Sequence, residues 1–207
     1  MIITIVGGTG LVGQGIFKEL AQVADYELHS LSRHGKSKAH LVEPVIYHAA
    51  NLTETGEWQE LLQKSDWVID AVGILFPSKS KGTTYEKNSI QPAKIIIDTI
   101  VNSENQCLFI SANDGPFFMK DYMKAKKEVE AYGQKRLKAR FISVFPGIVY
   151  DTSRKSSYVP ARLLEPLIKI PVFSFLKSYR PIKRSQFAKE IHKIIEGKAS
   201  ELTQRLK

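Results

Sequence analysis

The sequence predicts an α/β fold, in which a doubly wound, mostly parallel sheet carries helices on both of its faces. Two observations support this prediction. Over the first 150 residues, short runs rich in β-branched residues alternate with amphipathic stretches, which is the order expected when each strand is followed by a crossover helix. The runs are also nearly continuous in apolar residues, as in IITIV at 2–6, which is typical of strands buried on both faces of a parallel sheet.

The periodicity places the individual elements in alternating order. Strands are predicted at residues 2–6, 27–31, 45–48, 66–72, 108–111 and 141–145. Helices are predicted at residues 11–23, 55–64, 85–102, 122–138 and 185–196. Four prolines between residues 160 and 181 interrupt the pattern, and short helices and turns are expected there because an interior proline costs a helix about 3 kcal/mol. The predicted organisation is a main domain at 1–150 and a small C-terminal lobe at 151–207, packed as part of the same domain.

The bulk properties are those of a globular protein expected in the cytoplasm. A length of 207 residues suits one domain. No apolar run reaches the roughly 18 residues that a membrane-spanning helix needs, and a strand that begins at residue 2 leaves no room for a secretion signal. The single cysteine, Cys107, excludes an internal disulfide and is expected to be a buried thiol. The histidines show no ligand spacing, so no metal site is expected.

A glycine-rich segment, GGTGLVG at 7–13, follows the first predicted strand. Gly7 permits a sharp turn out of the strand, Gly10 lets a pyrophosphate approach the backbone, and Gly13 lets the next helix pack closely. The N-terminus of that helix offers unpaired N–H groups and a partial positive charge to an anion. A loose turn would also explain the glycines, but their place at the first strand–helix junction favours a dinucleotide site. The domain at 1–150 is therefore predicted to be a Rossmann dinucleotide-binding domain.

The end of the second predicted strand indicates which dinucleotide is bound. An NAD site usually has Asp or Glu there for the ribose hydroxyls, whereas residues 28–40 contain no acidic residue. Ser32, Arg33 and Lys36 occupy this stretch instead, and the planar fork of an arginine suits a 2′-phosphate. NADP(H) is therefore predicted in preference to NAD(H), with a solvated basic turn as the alternative interpretation.

A candidate catalytic group lies further along the chain. Tyr122 and Lys126 are four residues apart on a predicted helix and therefore share a face. A nearby ammonium is expected to lower the pKa of a tyrosine from about 10, so that Tyr122 exchanges a proton with a substrate oxygen. Ser111, at the end of a predicted strand, is a candidate for orienting that oxygen, and Asn88 for supporting the helix geometry or a water relay. Because the segment is highly charged, a solvated surface helix is the alternative interpretation.

Taken together, these motifs resemble the short-chain dehydrogenase/reductase superfamily, in its extended or atypical branch. The matching segments are GGTGLVG at 7–13, Ser32–Arg33, DAVG at 70–73, YEKN ending at Asn88, FIS ending at Ser111, YMKAK at 122–126 and FPGIVYD at 145–151. The segment at 180–191, RPIKRSQFAKEI, also resembles the region in which a strand leads into the closing helix of the family. Within the branch, the chain looks most similar to the dehydrogenase-like accessory subunit of respiratory complex I and to a small reductase-like protein linked to ubiquinone synthesis.

The resemblance implies roles for individual residues. Ser111, Tyr122 and Lys126 would form the catalytic trio, with Asn88 in support. Together with the residues argued above, the expected cofactor-binding set is Gly7, Thr9, Gly10, Leu11, Val12, Gly13, Ser32, Arg33, Lys36, Asn51, Ala71, Val72 and Gly73. Asn51 stands where many relatives have an acid near the adenine. The C-terminal lobe is short for the extended branch, so a large sugar-nucleotide pocket is not expected.

The resulting expectation is an NADP(H)-dependent oxidoreductase of a small or apolar carbonyl or alcohol, with Tyr122 as its acid and base. The alternative is an NADPH-binding protein with a structural, sensing or docking role and little or no turnover, because some members of the atypical branch keep the fold without catalysis. An epimerase or dehydratase that uses its bound cofactor transiently is also compatible with the motifs.

The positive charge is concentrated at the end of the chain. Residues 152–207 contain 13 Lys and Arg against 4 Asp and Glu, which accounts for the whole net charge of +9. Aromatic residues are interspersed among these cations. The favoured interpretation is a lobe that covers the cofactor cleft with its apolar residues and exposes its charges to water. A peripheral contact with a membrane or with an apolar, quinone-like ligand is the alternative, and nucleic acid is the least favoured partner.

The predicted role of Arg33 is tested by reversing its charge. Arg33→Glu is expected to weaken NADPH binding far more than NADH binding, because only NADPH carries the 2′-phosphate that the guanidinium would contact. Fluorescence titration of the wild type and the variant with each cofactor measures both affinities. Equal loss of the two affinities would contradict a contact with the 2′-phosphate.

Overall fold

Six parallel strands form the main sheet of the protein, for which the computed structural model describes residues 1–35, 41–151 and 180–206. The strands are β1 Ile2–Val6, β2 Glu27–Ser32, β3 Ile46–Ala49, β4 Trp67–Asp70, β5 Gln106–Ile110 and β6 Phe141–Val144. Their order across the sheet is β3–β2–β1–β4–β5–β6. The chain therefore starts in the middle, adds strands toward one edge, and then returns to add strands toward the other, which is the order of a dinucleotide-binding sheet.

Helices connect the strands and cover both faces of the sheet. They are α1 Leu11–Leu20, α2 Trp58–Lys64, α3 Gln91–Thr99, α4 Lys120–Leu137 and α5 Arg184–Ile195. A separate two-stranded parallel pair, β7 Val149–Tyr150 and β8 Ile182–Lys183, leads directly into α5. None of the helices in the described part of the chain is long and apolar enough to cross a membrane. The predicted α/β class with a doubly wound parallel sheet is confirmed.

Most predicted elements differ from the structure by a few residues at their ends, and two of these differences have a clear cause. The helix expected at 85–102 is α3 alone, preceded by a π-helical turn at Glu86–Ile90. Pro92 has no N–H to donate into a regular helical turn, which accounts for the irregular entry into α3. The strand expected at 66–72 ends at Asp70, because the Asp70 carboxylate accepts a hydrogen bond from the N–H of Val72 at 2.9 Å and turns the chain out of the sheet.

Apolar side chains alternate between two cores, one on each face of the sheet. On one face, Val6, Val68 and Phe109 pack against helices α2, α3 and α4. On the other face, Ile3, Ile5 and Ile69 pack against α1 and α5. Cys107 lies in the first core and is buried, as predicted, and this burial raises the pKa of its thiol. The sheet is therefore buried on both sides, as its nearly continuous apolar strands predicted.

Helix α5, in the described part of the C-terminal region, packs against the N-terminal helix α1. Phe187 and Ile191 of α5 are fully buried in the core that Phe17 of α1 shares. A side chain at Gly15 would lie 2.5 Å from the Arg184 side chain, so the missing Cβ lets the two helices approach closely. These contacts make α5 a structural part of the sheet's second face. The division of the chain near residue 150 stays a prediction.

Loss of the α5 contact is expected to destabilise the whole fold. Phe187→Ala would remove a fully buried ring from the α1–α5 core, and the free energy of unfolding is expected to fall by about 3 to 5 kcal/mol. Urea denaturation followed by circular dichroism measures this change. Lys189→Ala, an exposed change on the same helix, is the control and is expected to shift the free energy of unfolding by less than about 0.5 kcal/mol. Equal effects of the two variants would contradict the packing of α5 on the sheet.

Candidate cofactor cleft and active site

A cleft of about 690 Å³ opens at the carboxyl ends of the strands. It lies around β1, where the strand order reverses and where ligands bind in open α/β sheets. Its walls come from the loops after β1, β2, β3 and β4 and from the beginning of α3. The predicted residues that line it are Gly7, Thr9, Gly10, Ser32, Arg33, Asn51, Ala71, Val72, Gly73 and Asn88.

The turn after β1 has the conformation that the glycine motif predicts. Gly7 has a φ of +83°, and a side chain there would lie 2.8 Å from the carbonyl oxygen of Ala71. A residue with a Cβ would therefore be strained in its backbone and would also push away the loop after β4. Gly7 thus sets the spacing between two loops that line the cleft.

The start of α1 is built to receive an anion. The helix begins at Leu11 without a side-chain cap and without an acidic residue in its first turn. A Cβ on Gly10 would meet only the carbonyl oxygen of Gly7, at 3.2 Å, whereas a Cβ on Gly13 would lie 2.6 Å from the Gly8 Cα. Gly13 therefore allows close packing, and Gly10 leaves room for a ligand at the start of the helix, whereas Leu11, Val12 and Gly13 are not among the residues that line the cleft. This geometry fits a pyrophosphate held by backbone N–H groups.

The loop after β2 forms the next wall of the cleft. The Ser32 hydroxyl donates a hydrogen bond of 2.9 Å to the carbonyl oxygen of Gly35, so it closes the turn. Arg33 and His34 are exposed and line the cleft, whereas Lys36 lies outside the described residues. His34 was not predicted, although it stands next to Arg33 in a stretch without acids, which is the signal that would have identified it.

The loop after β3 is held by its own side chains. The side-chain oxygen of Asn51 accepts hydrogen bonds from the N–H and the hydroxyl of Thr53, at 3.2 Å and 2.8 Å. The Asn51 amide donates to Glu54 at 2.6 Å. Asn51 therefore shapes the loop where it lines the cleft, and Thr53 joins it there as a residue that the sequence reasoning missed.

The wall opposite the glycine turn comes from the π-helical turn and α3. The Asn88 side chain accepts a hydrogen bond from the N–H of Thr84 at 3.0 Å, which fixes the start of this turn. The Ser89 hydroxyl accepts from the N–H of Ile74 at 3.2 Å and ties the turn to the loop after β4. Further lining residues that were not predicted are Lys87, Gln91, Pro92 and Ile95.

Lys126, on α4, is not among the residues that line this cleft, and neither are Ser111 and Tyr122. Its ammonium is buried and donates a hydrogen bond of 2.6 Å to the carbonyl oxygen of Ile110. A Cβ built on Gly73, which lines the cleft, would lie 3.8 Å from Lys126 Nζ. Burial lowers the pKa of Lys126 to about 8, while the carboxylates of Asp70 and Glu130 act in the opposite direction. Lys126 is therefore mostly protonated at neutral pH and loses its proton at mildly alkaline pH.

The environment of Tyr122 corrects the expected effect of Lys126 on its pKa. Lys126 Nζ lies 5.8 Å from the centre of the Tyr122 ring, so the two residues do share a face of α4. However, burial and, to a smaller extent, the neighbouring Tyr85 raise the pKa of Tyr122 to about 12, so the expected lowering is wrong for this structure. The Tyr85 ring is 6.1 Å from the Tyr122 ring, and its hydroxyl donates to the carbonyl oxygen of Leu75 at 2.9 Å. The phenol is therefore protonated at neutral pH.

Ser111 is buried at the end of β5 beneath α4. Its hydroxyl donates a short hydrogen bond to the Glu130 carboxylate. Glu130 is one helical turn beyond Lys126 and also accepts two hydrogen bonds from Arg205, at 2.6 Å and 2.8 Å. The structure thus places Ser111 beside the residues of α4, with its proton directed to a carboxylate.

Asp70 adds a second buried carboxyl near Lys126. It is the last residue of β4 and is almost fully buried. Burial raises its pKa to about 6, although the hydrogen bond from Val72 and the charge of Lys126 both lower it. The Lys126 cation therefore has an acid on either side, Asp70 toward β4 and Glu130 along α4.

The burial of the Lys126 ammonium is tested by the pH dependence of stability. The folded-state pKa of about 8 lies below the ordinary lysine pKa of 10.5, so the unfolded chain binds more protons between these values and stability rises with pH. Between about pH 7.5 and about pH 10, the free energy of unfolding of the wild type is expected to rise by on the order of 2 kcal/mol relative to Lys126→Met. Urea denaturation at each pH measures the difference. The same comparison with Lys127→Met, an exposed neighbour, is expected to stay flat, and a flat difference for Lys126→Met would contradict the buried cation.

Comparisons with known proteins agree with this architecture. The model of the NAD dependent epimerase/dehydratase family matches residues 3–112. No curated protein matches the chain at a significant level. Among solved structures, UDP-glucuronic acid 4-epimerase from Bacillus cereus in complex with NAD superposes with a TM-score of 0.70 at 14% identity, over 95% of this chain and 74% of that one.

Two further solved structures share the fold at similarly low identity. The oxidoreductase ylbE from Lactococcus lactis has a TM-score of 0.66 and 19% identity, over 95% of this chain and 85% of that one. The Bordetella bronchiseptica enzyme WbmF in complex with NAD⁺ has a TM-score of 0.60 and 15% identity, over 100% of this chain and 81% of that one. The family match covers more than half of the sequence and includes the glycine turn, β4 and β5. The protein belongs to the NAD dependent epimerase/dehydratase family.

Proposed function

We propose that the protein is an NADP(H)-dependent oxidoreductase of a small or apolar carbonyl or alcohol. The observation that carries the proposal is the position of Lys126, whose buried ammonium lies close to Gly73, a residue that lines the cleft. Tyr122 lies one helical turn before it, with its ring next to the ammonium. A cation and a phenol at the edge of a dinucleotide cleft are the groups that carbonyl reduction requires.

The cleft offers a place for each part of the cofactor. The uncapped start of α1 and the turn at Gly7 would hold the pyrophosphate. The exposed Arg33 and His34 would contact the 2′-phosphate, since no acid lies in the described part of that loop to repel it. Lys126 would hold the hydroxyls of the nicotinamide ribose. The preference for NADP(H) over NAD(H) rests on Arg33 and on this absence of an acid.

The proposed chemistry assigns proton transfer to the protein. The bound nicotinamide supplies or accepts a hydride. Tyr122 keeps its proton at neutral pH because burial raises its pKa to about 12, so its hydroxyl is suited to donate that proton to a carbonyl oxygen as the oxygen gains charge. Lys126 would stabilise the phenolate that remains, and its own pKa of about 8 keeps most of its charge at neutral pH.

The surroundings of Tyr122 favour an apolar substrate. Leu75 and Phe76, in the loop after β4, are 54% and 56% exposed, and Phe117 and Phe118, just before α4, are 82% and 65% exposed. Tyr122 follows shortly after Phe117 and Phe118 in the chain. Its ring contacts the ring of Tyr85, whose hydroxyl is hydrogen-bonded to the carbonyl oxygen of Leu75. Large exposed apolar side chains near a cleft favour a ligand that buries them.

Two other functions are supported by specific observations. The hydrogen bond from Ser111 to Glu130 withholds the third member of the catalytic trio from a substrate, which favours an NADPH-binding protein with a structural or sensing role. The name of the family favours an epimerase or dehydratase that uses its cofactor transiently. The binding-protein alternative includes a contact with a membrane or with a quinone-like ligand through residues 151–207. The likeness to the accessory subunit of complex I and to the protein of ubiquinone synthesis belongs with this alternative.

The role of Tyr122 is tested by removing its hydroxyl. In Tyr122→Phe, NADPH oxidation with a panel of small and apolar ketones and aldehydes is expected to fall by about 100-fold or more, because the proton donor is lost. The affinity for NADPH, measured by fluorescence titration, is expected to stay within about twofold of the wild type.

Tyr132→Phe is the matched control on the same helix. The Tyr132 hydroxyl donates to the carboxylate of Asp98 on α3, at 2.8 Å and 2.7 Å, and Tyr132 does not line the cleft, so the loss of this hydroxyl is expected to leave turnover unchanged. Undiminished turnover in Tyr122→Phe would contradict proton donation by this residue. Tight NADPH binding by the wild type with no turnover on any carbonyl would favour the binding protein over the oxidoreductase.

A further inference from the structure

Arg205 joins the end of the described chain to the carboxyl end of β5. One of its terminal nitrogens donates to the carbonyl oxygens of Ala112 and Asn113, at 2.6 Å and 2.7 Å. The other donates to both oxygens of Glu130. The guanidinium also stacks on the ring of Phe145, 4.3 Å from its centre. A planar fork with four such bonds is a specific arrangement that a lysine cannot reproduce.

Two residues near Arg205, Leu206 and Leu202, also form hydrogen bonds to the residues that follow β5 and β6. The N–H of Leu206 donates to the side-chain oxygen of Asn113 at 2.7 Å. The carbonyl oxygen of Leu202 accepts a hydrogen bond of 2.7 Å from the N–H of Phe145. Residues 202–206 therefore cover the carboxyl ends of β5 and β6 with directed hydrogen bonds.

Glu130 is the point at which this segment meets the candidate active site. Its carboxylate accepts a hydrogen bond from the Ser111 hydroxyl and two hydrogen bonds from Arg205. Glu130 lies one helical turn from Lys126 on α4. Lys126 in turn donates to Ile110, the residue before Ser111. The Glu130 carboxylate is thus hydrogen-bonded to Ser111 and Arg205, and its charge acts on the Lys126 ammonium. All three groups lie at the end of β5 or contact the residues there.

We propose that Glu130 and Arg205 are positioning residues of the active site, through which the segment at 202–206 holds the end of β5 and the Lys126 ammonium in place for the cofactor. This inference rests on the proposed function, since it assumes that Lys126 contacts the cofactor. Neither residue touches the cofactor cleft. Arg205 aligns the loop that follows β5, and Glu130 supplies the negative charge that favours the protonated form of Lys126.

The effect of charge distinguishes this role from a merely structural one. If the Lys126 ammonium holds the ribose hydroxyls, affinity for NADPH falls as the pH rises through the pKa of that ammonium, which is about 8. Glu130→Gln keeps the shape of the side chain and an oxygen that accepts the hydrogen bond from Ser111, but it removes the charge and one of the two bonds from Arg205. Since Glu130 raises the pKa of Lys126, the midpoint is expected to move to lower pH. A general loosening of the fold would weaken binding at every pH without moving the midpoint.

The experiment measures the dissociation constant of NADPH by fluorescence from about pH 6.5 to about pH 9.5 in the full chain. For Glu130→Gln, the midpoint of the alkaline loss is expected to move down by about half a pH unit or more. For Arg205→Ala, affinity is expected to fall by about tenfold with no downward shift of the midpoint, because the loop after β5 is released while the Glu130 charge is kept. Arg205→Lys is expected to restore only part of that affinity, because it keeps the charge without the fork.

Glu128→Gln is the matched control, because Glu128 is on the same helix but pairs with Lys94 at 2.7 Å on the surface. It is expected to leave both the affinity and the midpoint unchanged. Thermal unfolding of each variant at the same pH values verifies that the folded state is being titrated.

The outcomes separate this inference from the proposed function. An alkaline loss in the wild type that Glu130→Gln does not move would overturn the positioning role of Glu130 and leave the role of Lys126 intact. A wild type whose affinity does not change over this range of pH would overturn the contact of Lys126 with the cofactor, and the inference with it. Undiminished NADPH affinity in Arg205→Ala would overturn the part assigned to the segment at 202–206.

Discussion

The hydrogen bonding of β1 to a strand on each side is the constraint from which the site follows. β1 pairs with β2 on one side, from Ile2 to Val6, and with β4 on the other, from Ile3 to Val6. Because all three strands point the same way, the loops that leave them diverge at one edge of the sheet and a crevice opens between them. The glycines of the turn after β1 then keep that crevice free of side chains, and α1 directs its N-terminus into it. The anion cradle is therefore a consequence of strand order before it is a property of any single residue.

The candidate site contains a buried charge, the Lys126 ammonium, which the neighbouring carboxylates stabilise. An isolated ammonium beneath α4 would lose its proton, because desolvation disfavours the charged form. Asp70 and Glu130 oppose this effect, and the carbonyl oxygen of Ile110 accepts one of the ammonium's hydrogen bonds. Burial also favours the neutral form of Tyr122, but for a phenol this raises the pKa instead of lowering it. Desolvation therefore moves the two pKa values apart, to about 8 for Lys126 and about 12 for Tyr122.

The parts of the site that were predictable from the sequence are those set by local geometry. The turn at Gly7 and the close packing at Gly13 follow from steric rules that apply wherever a strand enters a helix, and the face shared by Tyr122 and Lys126 follows from helical spacing. The bond from Ser111 to Glu130 was not predictable, because it depends on how α4 is rotated over β5. Arg205 reaches Glu130 across 75 residues of sequence, and no periodicity relates the two. The pKa of Tyr122 was predicted in the wrong direction, because spacing identifies a nearby cation but does not measure burial.

The packing of α5 on α1 has a consequence for how the chain folds as it is made. The face of the sheet that carries Ile3, Ile5 and Ile69 is covered in part by Phe187 and Ile191, which are synthesised long after β1 and α1. Until α5 leaves the ribosome, an apolar surface next to the nucleotide cradle stays open to water and to other chains. The core on this face of the sheet is therefore incomplete until α5 has been synthesised. A nascent chain that stalls between β6 and α5 would expose this surface and be a substrate for chaperones.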